Sequence, residues 1–376
     1  MKREQCGSPD SLAVLTDIPS PYQVELFDAL SRELGGRFKA IYMYDSMIGR
    51  DWLLPRVNHS HLYLSRTTLS TARVWIAQTG IAVFGAYKGN HVPELLKLRN
   101  KLKRPWAFWG ERPGFTYPGI LGRLARIVGQ RHIRTAGVPV WGIGDWAVEG
   151  YKHEIGGDRL FMNVPYFSDL KRFLALERGD SLAPAHTRFL FSGLLIERKG
   201  VDLLAQAFLE LISGGADAEL TFLGAGPLEA SLREVTSPVA NRVHFVGFRQ
   251  WQELPSVYAT HDVLCAPSRY DGWGLIVPEG LAAGMPVIAS DRMGAARDLV
   301  RAENGWIVRA GDRGSLVAAM TAATRQSERD RATTLQAARH AARRQDIEAG
   351  VRCVRNAMTE TLAACRILGH AIVDQA

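Results

Sequence analysis

A chain of 376 residues, 47% hydrophobic and 22% charged, exceeds what one core usually fills, so two globular domains are expected and extensive disorder is excluded. No apolar run reaches the roughly 20 residues of a membrane span, and the opening Met1-Lys2-Arg3-Glu4-Gln5 leads into no apolar signal core. The net charge of +8 lies wholly in residues 1–168, which carry 22 Lys+Arg against 14 Asp+Glu while the remainder balances at 24 against 24; such a half suits an anionic partner or membrane surface, or is simply a solvated basic face.

In chain order, Leu12–Asp17 is a short apolar run suited to a buried parallel strand. Ile18-Pro19-Ser20-Pro21-Tyr22-Gln23 then opens a helix. Ser20 stands at the cap, Pro21 at the first helical position and Gln23 at the place that completes a capping box. Further strands are expected at Lys39–Tyr44, Ile81–Phe84, Trp106–Trp109 and Val138–Trp141. The basic residues cluster between them, in Lys97-Leu98-Arg99-Asn100-Lys101-Leu102-Lys103-Arg104 and at Arg123, Arg126, Arg131 and Arg134. Ile120, Leu121, Leu124, Ile127 and Val128 beside Arg123, Arg126 and Arg131 predict a basic amphipathic surface helix, with a core-facing helix as the alternative.

A polar stretch with Pro184 marks residues 169–187 as a linker between a first domain, 1–168, and a second, 188–345. The second half repeats the alternation, with strands at Phe189–Gly193, Leu220–Leu223, Val243–Val246, Val263–Ala266, Pro286–Ala289 and Gly305–Val308. Strand–helix alternation of this kind predicts parallel sheets covered on both faces, hence an α/β class with two doubly wound, Rossmann-like domains facing a cleft. Residues 346–376 read as helical and are expected to pack back toward the first domain.

Four segments of the second half carry chemistry. Phe191–Asp202 runs from a strand end at Gly193 to the pair Arg198-Lys199 just before Gly200 and a helix, which places cations beside helical N–H groups as an anion site needs. Phe222-Leu223-Gly224-Ala225-Gly226-Pro227 is a glycine turn that lets backbone approach a ligand. In Ser268–Ser290 the carboxylates of Asp271 and Glu279 bracket seven residues; Gly272 and Gly274 expose backbone N–H groups, and Glu279 is expected to open the next helix. Asn304-Gly305-Trp306-Ile307-Val308 closes the series with a last strand. The competing Gly142-Ile143-Gly144-Asp145-Trp146-Ala147 lacks an acidic residue close to 20 positions on, which argues against a dinucleotide site.

Residues 185–312 closely resemble the donor domain of glycosyltransferase family four, retaining enzymes of the GT-B fold that use nucleotide sugars. The resemblance rests on the strand–Gly–Lys199-Gly200 segment, the Gly224-x-Gly226-Pro227 turn, the Pro267–Gly274 run and the Asp271/Glu279 spacing. It is looser in the first half, where the opening loop and Trp109-Gly110-Glu111-Arg112-Pro113 carry it. The resemblance implies that Lys199, helped by Arg198, contacts a donor diphosphate. It further implies that Asp271 with Gly272, Trp273, Gly274 and Leu275 holds the hexose and phosphate, and that Glu279 binds the ribose. Gly193, Gly224 and Gly226 would approach the donor, and Val246-Gly247-Phe248 with Ala266-Pro267-Ser268 would line the base. Acceptor-side candidates are Ser20, Tyr22, Glu111 and Arg112. Departures from the family pattern are Leu194 in place of a basic residue, Asp271 in place of glutamate, and an opening loop Pro19-Ser20-Pro21-Tyr22 without paired glycines. His91 is the nearest match to a first-domain histidine.

The expected reaction moves a sugar from a nucleotide-diphosphate sugar to a hydroxyl of a glycan or lipid-linked saccharide, with no metal and no cofactor. Expected partners are that donor, that acceptor and an anionic membrane surface; nucleic acid is not expected, because the basic patches form no recognised module. A nucleotide-sugar epimerase, or a sugar-nucleotide-binding protein without activity, is the alternative. Cys6, Cys265, Cys353 and Cys365 have neither metal-ligand nor disulfide spacing, which predicts reduced thiols in a cytoplasmic protein, peripheral on the membrane's cytoplasmic face.

Overall fold

The computed structural model describes residues 8–45, 53, 55–114, 119–177 and 186–367. The chain divides into two compact units, Met1–Ser168 with Ile347–Ala376, and Asp169–Asp346.

The first unit contains a seven-stranded parallel sheet of β1 (Leu12–Thr16), β2 (Phe38–Tyr42), β3 (His61–Tyr63), β4 (Ile81–Phe84), β5 (Trp106–Gly110), β6 (Val140–Gly142) and β7 (Phe161–Asn163), in the order β3-β2-β1-β4-β5-β6-β7. Its helices are α1 (Pro21–Leu34), α2 (Leu69–Gln78), α3 (Val92–Lys101), α4 (Gly119–Gly129), α5 (Arg131–Ala136) and α6 (Asp145–Ile155). The sheet of the second unit uses β8 (Thr187–Ser192), β9 (Ala218–Leu223), β10 (Val243–Gly247), β11 (Val263–Ala266), β12 (Val287–Ser290) and β13 (Gly305–Val308), in the order β10-β9-β8-β11-β12-β13. Around it lie α7 (Lys171–Leu174), α8 (Val201–Ser213), α9 (Glu229–Val235), α10 (Leu254–Ala259), α11 (Ile276–Ala282), α12 (Gly294–Leu299), α13 (Arg313–Thr324) and α14 (Glu328–Ala342). The last helix, α15 (Ile347–Ile367), belongs to the first unit, where it packs on α1 and β5 and Thr361 accepts a bond from the Trp141 indole at 3.0 Å.

Both sheets therefore have the doubly wound order, which reverses direction between their first and fourth strands. Crevices outside the carboxyl ends of strands at such a switch point are where open α/β sheets bind ligands. The central strands are largely apolar and buried because helices cover both faces; β1 (Leu-Ala-Val-Leu-Thr) has no exposed position. Helix α8 buries Val201, Leu204, Ala205, Phe208 and Leu211, a 3.6-residue stripe that packs on the core built around Phe189, Phe191 and Phe222.

Two strands have no counterpart among the expected ones. β3 and β7 are the edges of the first sheet, three residues each, and carry His61 and Asn163 where an apolar run would be looked for. The capping box at Ser20 is also absent. Ser20 is the cap residue and Pro21 does begin α1, but the Ser20 hydroxyl donates to Gln23 Oε1 (2.9 Å), and Gln23 Nε2 donates to Thr16 Oγ1 (3.0 Å). Both side chains are buried and tie the helix start to the end of β1 rather than to the helical N–H groups. Residues 178–185, including Pro184 of the expected linker, lie outside the described residues; before them, α7 places buried Phe173 against Tyr258 at a centroid distance of 5.1 Å. Cys6 likewise lies outside them, and Cys265, Cys353 and Cys365 are free thiols.

Two buried polar groups brace the first unit. His59 places Nδ1 2.6 Å from Asp28 Oδ1 and Nε2 2.8 Å from the Tyr42 hydroxyl, and Asp28 also accepts from Asn58 and His59 N–H groups. Burial lowers the His59 pKa, an effect the Asp28 carboxylate opposes. Arg99, in the predicted basic cluster, is not at the surface: it is 0% exposed, and its guanidinium makes five bonds to the carbonyls of Ile76, Thr79, Gly80 and Pro105. Arg104 similarly donates to Ala77 O (2.6 Å).

Candidate functional site

At the carboxyl end of β8 the chain turns through Gly193 into a 3-10 turn, Glu197–Lys199, and then through Gly200 into α8. Gly200 has φ 71°, and a Cβ there would lie 2.2 Å from Pro267 O, so only glycine fits between this turn and the end of β11. Beyond β9, Gly224 (φ 138°) leaves no room for a Cβ, which would stand 1.9 Å from Gly193 O, and Gly226 is confined by Leu195 O at 2.5 Å. The glycine turns thus let three strand ends close on one another at the β8/β11 switch point, and Gly224 N–H donates to Gly247 O at the end of β10 (2.9 Å).

Lys199 and Asp271 meet there. The Lys199 ammonium donates to Asp271 Oδ2, and both side chains are 14% exposed. Asp271 is fixed by its own backbone: its N–H donates to Arg292 O (2.9 Å), its carbonyl accepts from Gly294 N–H (3.3 Å), and it forms a parallel bridge with Met293. Gly272 approaches Gly294 so closely that a Cβ on Gly294 would fall 2.5 Å from Gly272 O. Trp273 is buried against that glycine, and Gly274 (φ 91°) reverses the chain into α11, with Leu275 at the helix cap. Arg198 is exposed and donates to Tyr270 O (3.0 Å).

Glu279 stands in the first turn of α11, three residues after Ile276 opens the helix, so it does not itself begin it. Its Oε2 accepts from the buried Tyr258 hydroxyl at 3.3 Å, and Tyr258 is also bonded to the Ser192 side chain at the end of β8. Burial, reinforced by the Glu279 charge, holds the Tyr258 phenol well above its ordinary pKa, so it stays a neutral donor. Each carboxylate of the pair is therefore tied to the segment that follows or ends β8, Asp271 through Lys199 and Glu279 through Tyr258. Ser268 is fully buried and its carbonyl accepts from Ser290 Oγ (2.5 Å); Phe248, after Gly247 (φ 70°), is exposed.

Sequence reasoning assigned no role to Tyr258 or to Arg269. Arg269 forms a two-pronged pair with Asp202 (2.7 and 2.6 Å), donates to Glu197 O (2.6 Å), and gives its N–H to Arg198 O (2.9 Å). It locks the Lys199 turn to the Asp271 loop, and its guanidinium holds the Asp202 carboxyl below the usual range. The signal was present as a basic residue inside the quoted motif, but its acidic partner lies 67 positions away.

The first unit has a cavity of about 290 Å³ at its own switch point, outside the carboxyl ends of β1, β4, β5 and β6. Ser20, Tyr22 and Glu111 line it, with Asp17, Trp109 and Tyr166. The rings of Tyr22 and Tyr166 stand 4.8 Å apart, and Trp109 Nε1 donates to Val164 O (2.7 Å). Burial, then Tyr22 and Glu111, push the Tyr166 phenol far above its ordinary pKa. Arg112 is not part of this lining; it lies over the Trp146 ring at 4.8 Å and donates to Trp146 O (3.0 Å). His91 caps α3 with φ 60°, near Glu94, and is likewise absent from the lining.

Residues 186–326 match the family described as "Glycosyl transferases group 1". Among curated proteins, the chain is 28% identical over 185 residues to the GDP-mannose-dependent monoacylated alpha-(1-6)-phosphatidylinositol monomannoside mannosyltransferase of Corynebacterium glutamicum, covering 45% of this chain and 48% of that protein. It is 33% identical over 134 residues to the D-inositol 3-phosphate glycosyltransferase of Corynebacterium diphtheriae, covering 33% and 31%. The match thus spans about half or less of these relatives. Among solved structures, Anabaena HepE in complex with UDP superposes with a TM-score of 0.73 at 14% identity, over 93% of this chain and all of that one (100%). Residues 186–326 of the second unit are thus similar in sequence to the glycosyl transferases group 1 family, on a chain whose two parallel-sheet units share the fold of GT-B glycosyltransferases.

Proposed function

We propose that this protein is a retaining glycosyltransferase that moves a hexosyl-type sugar from a nucleotide-diphosphate sugar to a hydroxyl of a glycan or lipid-linked saccharide, in cell-surface polysaccharide or glycolipid synthesis. The observation that carries the proposal is the Lys199–Asp271 contact beside the N-terminus of α8, at the switch point of the second sheet. A cation next to free helical N–H groups favours a diphosphate. Transfer builds positive character on the sugar carbon and negative charge on the departing diphosphate, and cations already in place lower that barrier. Lys199, assisted by Arg198 and the helix end, supplies this charge without a metal ion. On donor arrival Lys199 turns to the phosphate, and Asp271 is released to accept bonds from sugar hydroxyls. Glu279, oriented by Tyr258, accepts from the ribose, while Gly247, Phe248 and Ser268 border the base.

The bond from the anomeric carbon to the phosphate oxygen breaks as the acceptor oxygen attacks from the same face, and the acceptor proton passes to the leaving phosphate. The acceptor enters through the cavity of Ser20, Tyr22 and Glu111 in the first unit. That a relative carries phosphatidylinositol monomannoside in its name supports a lipid-linked acceptor, used on the cytoplasmic face of a membrane. The test is incubation of the full chain with UDP-glucose or GDP-mannose and a lipid extract. Release of nucleoside diphosphate that depends on the extract, with an α-linked product, is expected. Conversion of the nucleotide sugar without any acceptor would instead indicate an epimerase.

A further inference from the structure

Helix α4 faces the wrong way for a helix that serves the core. Among its residues only Gly122 is buried. The inward face also includes Gly129, where a Cβ would approach the Tyr87 ring to 3.0 Å, and Arg126, whose Nε bonds Glu154 Oε1 at 2.6 Å with both side chains largely covered. The apolar residues point outward instead: Ile120 is 81% exposed, Leu121 82%, Leu124 53% and Val128 63%. Leaving four large aliphatic side chains of one short helix in water forgoes the burial that stabilises such groups, and contiguous patches of this kind mark interaction surfaces.

We propose that α4 docks the protein on an anionic lipid surface, lying in the plane of the interface with Ile120, Leu121, Leu124 and Val128 inserted among the acyl chains. This deepens the proposed function, in which the acceptor is lipid-linked. Eleven residues span about 16 Å of helix, half of a bilayer core, so α4 lies on the membrane and does not cross it. Charge complementarity selects the partner. Arg123 is exposed on α4 itself, Arg131 on the next helix and Lys97 on α3 are exposed, and burial, with the charges of the last two added, lowers the His132 pKa. The whole excess of positive charge belongs to this half of the sequence. A second copy fits worse, because a two-fold contact along this strip would bring two copies of the same basic face together. One helix face is also much smaller than the roughly 800 Å² per partner of a stable interface.

The test is co-sedimentation of the full chain with vesicles of phosphatidylglycerol and phosphatidylcholine, or of phosphatidylcholine alone. Binding to the anionic vesicles at low salt is expected, with little to the neutral ones. Leu121→Gln with Leu124→Gln should lower the partition coefficient at least about tenfold, and Arg123→Glu should weaken binding and flatten its salt dependence. Neither variant should alter nucleoside diphosphate affinity measured without vesicles, so a failure of docking stays distinguishable from a failure of the donor site. No sedimentation at low salt would overturn the proposal, as would unchanged binding by the double glutamine variant. So would a concentration-dependent dimer in light scattering that the double variant dissolves.

Discussion

Lys199→Ala is expected to lower nucleoside diphosphate release from a nucleotide sugar by about a hundredfold or more, in a protein that remains folded. The ammonium is delivered by a 3-10 turn whose ends are held by Lys199 N–H to Ile196 O (3.0 Å) and Gly200 N–H to Glu197 O (2.9 Å). Arg269 fastens that turn to the Asp271 loop through Glu197 O and the Arg198 carbonyl, so the substitution removes a charge without removing what positions it. Asp271 would lose its cation, but the Met293 bridge and its own backbone bonds keep the loop in place. Arg198→Ala should cost much less, because Arg198 is exposed and its guanidinium contact is a backbone carbonyl. Steady-state release assays on circular-dichroism-checked protein decide the matter. A near-normal rate for Lys199→Ala would remove this residue from the mechanism.

Arg99→Met is expected to destabilise the first unit by about 3–5 kcal/mol, enough to lower its thermal midpoint by roughly 10 °C or prevent folding. One guanidinium ties the end of α2, the turn before β4 and the start of β5 together through four carbonyls. Methionine fills a similar volume but takes the guanidinium donor away from those buried acceptors, of which Pro105 O keeps the Ala82 N–H at 3.3 Å; each acceptor left without a donor costs about 1–3 kcal/mol before relaxation. Lysine keeps the charge with only three donors on a single nitrogen, against the forked reach of arginine, and should recover part of the loss. Thermal melts of the two variants measure the difference. Equal midpoints for wild type and Arg99→Met would show that water replaces the guanidinium.

The difference between Arg99 and its neighbours bounds what could be read from the sequence. A run of Lys and Arg signals charge, and no local pattern separates Lys97 and Lys101, which are exposed, from Arg99, whose partners come from other elements. The central strands were legible because burial on both faces writes them as largely apolar runs; Ile81–Phe84 and Val263–Ala266 have the expected bounds, and so does the edge strand Gly305–Val308. Edge strands β3 and β7 were not, since each is only three residues long, without an apolar run, and takes its pairing from a neighbour. In the site, the glycine turns and the spacing of Asp271 and Glu279 could be read as a motif. Tyr258 and Arg269, which orient that motif, depend on contacts 21 and 67 positions away along the chain. For α4, amphipathicity was visible but its orientation was not: whether the apolar stripe faces core or solvent depends on Tyr87 and Glu154, against which the glycine and arginine side is packed.

Titration calorimetry of the full chain with UDP and with GDP, each compared with its nucleoside, tests most directly whether Lys199, Asp271 and Glu279 serve one pyrophosphate-bearing ligand. At least one diphosphate should bind one per chain, its nucleoside far more weakly, and Lys199→Ala should reduce the diphosphate affinity at least about tenfold while leaving the nucleoside unaffected. Absence of binding by both diphosphates, or equal affinity for diphosphate and nucleoside in wild type and variant alike, would contradict the account.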